Sequence, residues 1–549
     1  MFPKSAVFPL IGDSNTRLTA DHKRISNKAL ANIIEPFPNY PDIKFGGNFN
    51  WAHQEPELST SYSLYLQNLR VVGTMLAVFE HTRDEKLLDK CDQIVLSWME
   101  FVEAGGEVEM TWYDHAVGAR CRVLTQYLSI SEEMNRPYDK ARFTAMLEKH
   151  AEILMDDSHH RMNNHGIMMD NALLSLGLGL ERMDYFYHGM ERVKAIFWQT
   201  FSETGMHQEN SPEYHSMVQR MFKELESYLN ANSFTLGADI LRKFPYIAEH
   251  SKRLVKPDGK IPAIGDSSHN STNLGFDWGS FHDQMSGFTL LKNRANELYL
   301  AFICGFSATA HKHADDLSVI LNYGGKDFFV DAGKYNYGNN RYRRFVVSKS
   351  AHSSFMLDRN YTRVPDNRYS KMIATDHYLN SEIYSLVSGY NRGYENASLR
   401  RTVYSIPGES LLIIDDQGSN LKNEKEVWQQ RFTLSPESNA RILKNDTVMV
   451  QNGDRVIYLK IQSESEPRIE IIDSQDGEVF ISERTKDITP TSQIVIKYHQ
   501  AESIASTITI SLGYEYKGKV NVDRSTQAIG VERLRDPELT DLIIPTFSL

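Results

Sequence analysis

The stretch HKHADDLSVILNYGGKDFFVDAG, residues 311–333, gathers the side chains best suited to chemistry. His311 and His313 lie two apart, so on an extended strand both would point to one face, and Asp315 continues that parity. LSVILNY reads as a buried strand, Gly324-Gly325 as a turn and DFFVDAG as the returning strand. Such a hairpin would carry Asp331 back toward the histidines. Two imidazoles and a carboxylate on one patch could bind a metal, move protons, or do both. The bland alternative is an HxH pair on a solvated strand face, and the stretch alone favours it.

Three further clusters could bind anions or move protons. Asn163-Asn164-His165-Gly166 opens a helical pattern. Asn163 suits the cap of that helix, and two amides beside an imidazole at a helix start could also hold an anion. GMHQENSPEYH, residues 205–215, is a polar loop running into a helix. Ser211 fits the cap, Pro212 the first helical position, and Tyr214 and His215 the first turn. Glu209 shares that loop. Trp112-Tyr113-Asp114-His115 precedes Arg120 on one predicted helix, as a substrate-facing helix end or a solvated first turn would. His352, in SAHSSFMLD, stands before another strand.

The elements that must position these groups are legible from periodicity. From about 58 to 255, segments such as KLLDKCDQIVLSWMEFVEA and HAVGARCRVLTQYLSISEEM repeat apolar residues at helical spacing. About eight such helices with short connections exceed one four-helix bundle and predict an incomplete α/α toroid. After PDGKIPAIGDSSHNST the pattern turns to short β-rich runs (ELYLAFICG, SLLIIDD, SQIVIKYH), which predicts an antiparallel β-sandwich. Helices followed by strands imply separate domains. The expected layout is an irregular N-terminal arm over 1–57, a toroid over 58–270 and a β-sandwich over 271–549.

Composition excludes several classes. With 41% hydrophobic and 24% charged residues, the 549-residue chain reads as ordinary globular protein. Its net charge of −11 argues against a nucleic-acid binder. No run approaches the length of a membrane span. The three cysteines, Cys91, Cys121 and Cys304, form neither a disulfide framework nor a zinc ribbon. The N-terminus lacks the long apolar run of a signal peptide, so a cytoplasmic location is expected as the chain is written, and a periplasmic or secreted one if the chain has been shortened.

Taken together, NNHG (163–166), SPEYH (211–215), IPAIGDS (261–267), HKHADDLS (311–318) with VDAG (330–333), and SAHSS (350–354) resemble the heparinase II/III superfamily of polysaccharide lyases, whose fold related alginate lyases share. The motifs run in order along about 50 to 420. The resemblance implies a carbon–oxygen lyase that breaks the O4 bond of a uronic acid by β-elimination, on a glycosaminoglycan-like or alginate-like glycan. It implies Asn164 and His165 as donors that neutralise the uronate carboxylate, Tyr214 as catalytic acid or base, and His311 as second base or carboxylate partner. Asn163, His115, Arg120, Glu209, His215, Tyr337 and Tyr342 are expected around the substrate; either Tyr337 or Tyr342 could be the family's second tyrosine. The resemblance also implies a site-supporting Zn²⁺ on His313, Asp331 and His352, with no organic cofactor. One departure is His352-Ser353-Ser354 where many relatives have HNT. The expected partner is an acidic polysaccharide or oligosaccharide; oligomeric state is open. Two rivals remain: a glycoside hydrolase on the same toroid, using two of Asp114, Asp170, Glu209 and Glu213, or a non-catalytic protein that binds or assembles acidic glycans.

Overall fold

Amphipathic spacing builds the helices. In α4 (Glu85–Glu103), Asp84 caps the start by accepting from the Lys86 amide, and Leu87, Leu88, Cys91, Ile94, Val95, Trp98, Met99 and Val102 turn one stripe into the core. The computed structural model describes residues 2–9, 18–56, 58–359, 370–473, 478–535 and 541–549. Before α4 come α1 (Ala20–Leu30), α2 (Ser59–Gln67) and α3 (Arg70–Thr82). After it come α5 (Asp114–Glu133), α6 (Lys140–Met155), α7 (Asn164–Gly179), α8 (Met183–Thr200), α9 (Pro212–Ala231), α10 (Ala238–Leu241) and α11 (Phe244–Leu254). The chain divides into two compact units, Met1–Thr200 with Arg220–Arg242, and Phe201–Gln219 with Lys243–Leu549.

Three expectations about the helical part are corrected. The N-terminal arm is not wholly irregular: it carries α1, opened by a capping box at Thr19, and a short ladder pairing Ile33–Ile34 with Ile43–Lys44. The apolar run LYLQNLRVVGTMLAVFEHT, residues 64–82, has the spacing of one helix but is split between two, α2 and α3, broken where Leu69 takes a left-handed φ of 57°. Arg120 does not face substrate. It is fully buried, and its guanidinium lies over the Trp98 ring at 4.2 Å. It donates to His150 Nε2 (2.9 Å) and to the carbonyls of Gln67 (2.7 Å) and Thr111 (2.7 Å). All its bonds are internal, so it ties α5 to α6, to the end of α2 and to the loop at Thr111.

In the second unit, a five-stranded antiparallel sheet runs in chain order: Phe281–Asp283, Phe288–Asn293, Leu298–Ile303, Ser318–Tyr323 and Lys326–Phe329. A four-stranded sheet orders Arg468–Ile472, Gln493–Ala501, Glu426–Thr433 and Phe355–Leu357, and an eight-stranded sheet spans strands from Ile373 to Leu512. One core joins the three: Leu300, Phe302 and Leu321 meet Trp428, Phe432 and Ile494, and Val403, Leu412 and Ile508. This is the sandwich that the short β-rich runs predict. The turn between the fourth and fifth strands uses Gly324 (φ 59°) and Gly325 (φ 75°), the two positive values that a tight hairpin needs.

The histidines, however, are not on that hairpin. The strand begins only at Ser318, and 311–317 form a folded loop. Lys312 explains the difference. Its ammonium is fully buried, bonded to Asp315 and 3.1 Å from Asp316 Oδ1, so charge pairs three and four residues apart close the loop on itself. His311 and Leu317 accordingly take left-handed φ values of 58° and 62°. Behind the loop, buried Arg401 pairs with both oxygens of Asp416 at 2.7 Å and donates to the carbonyls of Leu317 (2.8 Å) and Ser353 (3.0 Å).

That pair generates a stability prediction. Arg401→Met should lower the unfolding free energy by about 3–5 kcal/mol, because Asp416 is left buried without its countercharge. Arg401→Met combined with Asp416→Leu should cost less. Urea unfolding of both variants checks this; a double variant no more stable than the single one contradicts it.

Candidate active site

In the second unit, the polar groups converge on Asp266. This carboxylate is 2% exposed. His311 Nδ1 lies 3.0 Å from Oδ2, His313 Nε2 lies 2.9 Å from Oδ1, and Arg343 bonds both oxygens. Burial pushes the Asp266 carboxyl up, but the histidine bonds and the Arg343 guanidinium outweigh it and hold the acid well below the usual carboxylate range. Its neighbour Gly265 has φ 54°, and a Cβ there would meet the carbonyls of Asn210 at 2.4 Å and His311 at 2.8 Å. Only glycine lets the Asp266 segment pass so close to both. Asn210 fixes the other side by donating to the carbonyls of Ala308 (2.7 Å) and Ala310 (2.9 Å).

Tyr214 stands on the first turn of α9, as the SPEYH pattern predicts. Its amide bonds Ser211 Oγ, which is 2.7 Å from Ser267 Oγ. The Tyr214 ring stacks on His311, with centroids 3.6 Å apart and planes at 23°. Its hydroxyl is 2.9 Å from that of Tyr337. Partial burial raises the Tyr214 phenol above its ordinary range, and the Tyr337 bond opposes that shift. Of the two candidate second tyrosines, Tyr337 therefore meets Tyr214. Tyr342 instead packs on Tyr335 and Phe480, with its hydroxyl bonded to Arg341. Glu209 is buried, with Oε2 3.6 Å from His311 Nε2, and burial raises its carboxyl. His215 is another correction. It is fully buried, accepts at Nδ1 from the His207 amide (3.2 Å) and donates from Nε2 to the Ile247 carbonyl (3.0 Å), so it braces the loop and cannot touch a substrate.

His313, Asp331 and His352 form a buried cluster whose ligand atoms lie within 4.8 Å of one another. His352 Nδ1 is 3.0 Å from Asp331 Oδ2. His313 Nδ1, Asp331 Oδ1 and His352 Nε2 have no hydrogen-bond partner among the described residues. Buried polar atoms are seldom left so, and two imidazole nitrogens with one carboxylate oxygen fit a metal ion. A second group, Asp258, His269 and Asp327, is similarly close. There Lys256 bonds Asp327 and lies 3.3 Å from Asp258, so an ammonium already supplies the countercharge.

In the first unit, Asn163 caps α7 and accepts from the His165 amide at 2.9 Å. Asn164 and His165, both half-buried, open the helix. The His115 and His165 rings are 4.9 Å apart, because α5 and α7 approach closely where Gly118 meets the Met169 backbone. Burial, then the nearby His165, pushes the His115 imidazole down to about 4. Gly166 is required: a Cβ there would fall 1.8 Å from the Arg161 carbonyl.

Sequence reading missed Asp266, Arg343 and Lys334 as site residues. Lys334 binds Glu213 at 3.1 Å, and Glu213 also accepts from the Ser268 amide at 2.6 Å. The available signal for Asp266 was its place between Gly265 and Ser267, in a motif used only for the resemblance.

Two family models cover the chain: heparinase II/III N-terminus over 7–287 and heparinase II/III-like, C-terminal over 277–531. A heparin-sulfate lyase of Bacteroides thetaiotaomicron is 20% identical over 447 residues, 68% of this chain. The chain spans 62% of the length of that relative. Among solved structures, a heparinase III superposes with TM-score 0.80 at 16% identity, covering 99% of this chain and 93% of the other. A heparan sulfate lyase of Pedobacter heparinus gives 0.72 at 15% identity, covering 98% and 91%. These superpositions carry the fold, an α/α toroid followed by a β-sandwich, and the matched family models carry the membership: the chain belongs to the heparinase II/III-like family.

Proposed function

We propose that the protein is a polysaccharide lyase that cleaves a uronate-containing acidic glycan by β-elimination. The observation that carries this reading is the stack of Tyr214 on His311, with Asp266 behind the imidazole and Tyr337 on the phenol. Elimination needs a base for the C5 proton, an acid for the departing O4, and donors that neutralise the carboxylate so that C5 becomes acidic. His311 has Nδ1 turned to Asp266, which leaves Nε2 to take the C5 proton. The C5–H electrons form the C4=C5 double bond as the C4–O4 bond breaks. Tyr214, held neutral by burial, gives its proton to O4. Asn164 and His165 are the assigned donors to the uronate carboxylate, with His115, Asn163, Glu209 and Tyr337 as further substrate contacts. His313, Asp331 and His352 would hold zinc, whose charge would knit the loops that carry them.

The hydrolase alternative is less well supported. Asp170 is fully buried and bonded to His160, and Glu213 is occupied by Lys334 and the Ser268 amide. Neither stands free as one of two carboxylates flanking a bond.

Incubation with alginate and a range of glycosaminoglycans should yield oligosaccharides with a new short-wavelength ultraviolet band, the signature of a conjugated C4–C5 unsaturated uronate. Cleavage without that absorbance refutes elimination. Tyr214→Phe should lower kcat by about 10²–10⁴-fold, the usual worth of a general acid. In the native enzyme the alkaline limb of kcat should lie at or above the ordinary tyrosine range, about 10, because an acid with a raised pKa stays protonated below it. A limb well under that range speaks against a neutral Tyr214. Elemental analysis separates the histidines: His311→Ala should lose turnover yet keep zinc, whereas His313→Ala should lose zinc and stability. Full zinc in both variants defeats the metal assignment.

A further inference from the structure

We propose that Asp266 is a positioning residue that couples the metal cluster to His311. One carboxylate holds both histidines, each by a different oxygen. The Oδ1 bond takes Nε2 of His313, and the other ring nitrogen, Nδ1, is the one without a partner among the described residues. A proton on Nε2 leaves the Nδ1 lone pair for a metal, the carboxylate–histidine–metal arrangement that fixes a ligand's tautomer and ring orientation. The Oδ2 bond takes Nδ1 of His311 and turns its Nε2 toward Glu209 Oε2, 3.6 Å away.

Asp266 has little freedom to absorb a shift on one side without passing it to the other. Arg343 clamps both oxygens, also donates to the Lys334 carbonyl at 3.0 Å, and packs over the Tyr337 ring at 5.4 Å. Gly265 is wedged between the carbonyls of Asn210 and His311. Lys312, between the two histidines, is locked by Asp315 and Asp316. Metal binding at His313 therefore sets the orientation of the His311 ring, although no ligand of the metal need touch the sugar.

The role of His311 rests on the lyase reading above, so the test uses readouts that need no turnover. In the apo full-length protein with isotope-labelled histidine, adding Zn²⁺ should shift the ring resonances of His311 as well as those of His313 and His352. Asp266→Asn cannot accept from both imidazoles, since its amide nitrogen is a donor. It should weaken Zn²⁺ binding by about 10–100-fold in chelator competition, and at saturating Zn²⁺ the His311 shift should vanish. Where lyase activity is measurable, kcat should fall with KM little changed. Unmoved His311 resonances in the wild type overturn the coupling, whatever the variant does. Unchanged Zn²⁺ affinity in Asp266→Asn overturns it as well. Failure of the lyase assay with both readouts intact refutes only the assigned reaction.

Discussion

A carboxylate taken out of water must be met by donors or it will not stay charged. Asp266 is that group here, and three side chains from two segments distant in sequence meet it: His311 and His313 on one loop, and Arg343 on the helix α12 (Arg341–Val346). None of these contacts survives a slip of one residue in any segment. The need to satisfy one buried anion thus fixes an imidazole beneath the Tyr214 ring, a second imidazole at the metal cluster and a guanidinium beside Tyr337.

Behind this fork lies a second layer of buried charge. Arg401 with Asp416 holds the carbonyls of Leu317 and Ser353, the residues that end the histidine loop and follow His352. Thr433 bonds Ser353 Oγ through its amide and the Ala351 carbonyl through its hydroxyl. Such pairs do little for net stability, because desolvation offsets most of the attraction, but breaking one is severe. Their effect is to fix geometry. Left-handed backbone at Asn210, His311, Leu317 and Tyr335, all non-glycine, is held in place around the same site, and strain of this kind persists only where the surroundings over-determine it.

Much of the fold was legible in the sequence because it follows from apolar period: α4 and the sandwich strands bury the residues their spacing assigns. The start of α9 was legible from Ser211 and Pro212, and α7 from Asn163. What failed depended on tertiary partners. Parity placed His311 and His313 on a strand, but the Lys312 charge pairs outweigh β propensity there. Arg120 and His215 looked like substrate contacts because polar residues near a helix start usually face solvent; both instead satisfy buried backbone carbonyls. Asp266 went unassigned because its partners are 45, 47 and 77 residues away. The grouping of His313 with Asp331 and His352 came from resemblance, not from spacing, and the three do lie together.

The central claim is elimination rather than hydrolysis, and the fate of solvent oxygen separates them. Digestion of a uronate glycan in water enriched in heavy oxygen, followed by mass spectrometry of the fragments, reads this directly. The account predicts no heavy oxygen above the level that reducing ends exchange without enzyme, and every fragment with a newly formed non-reducing end lighter by one water than its hydrolytic counterpart. One heavy oxygen per broken linkage would contradict it.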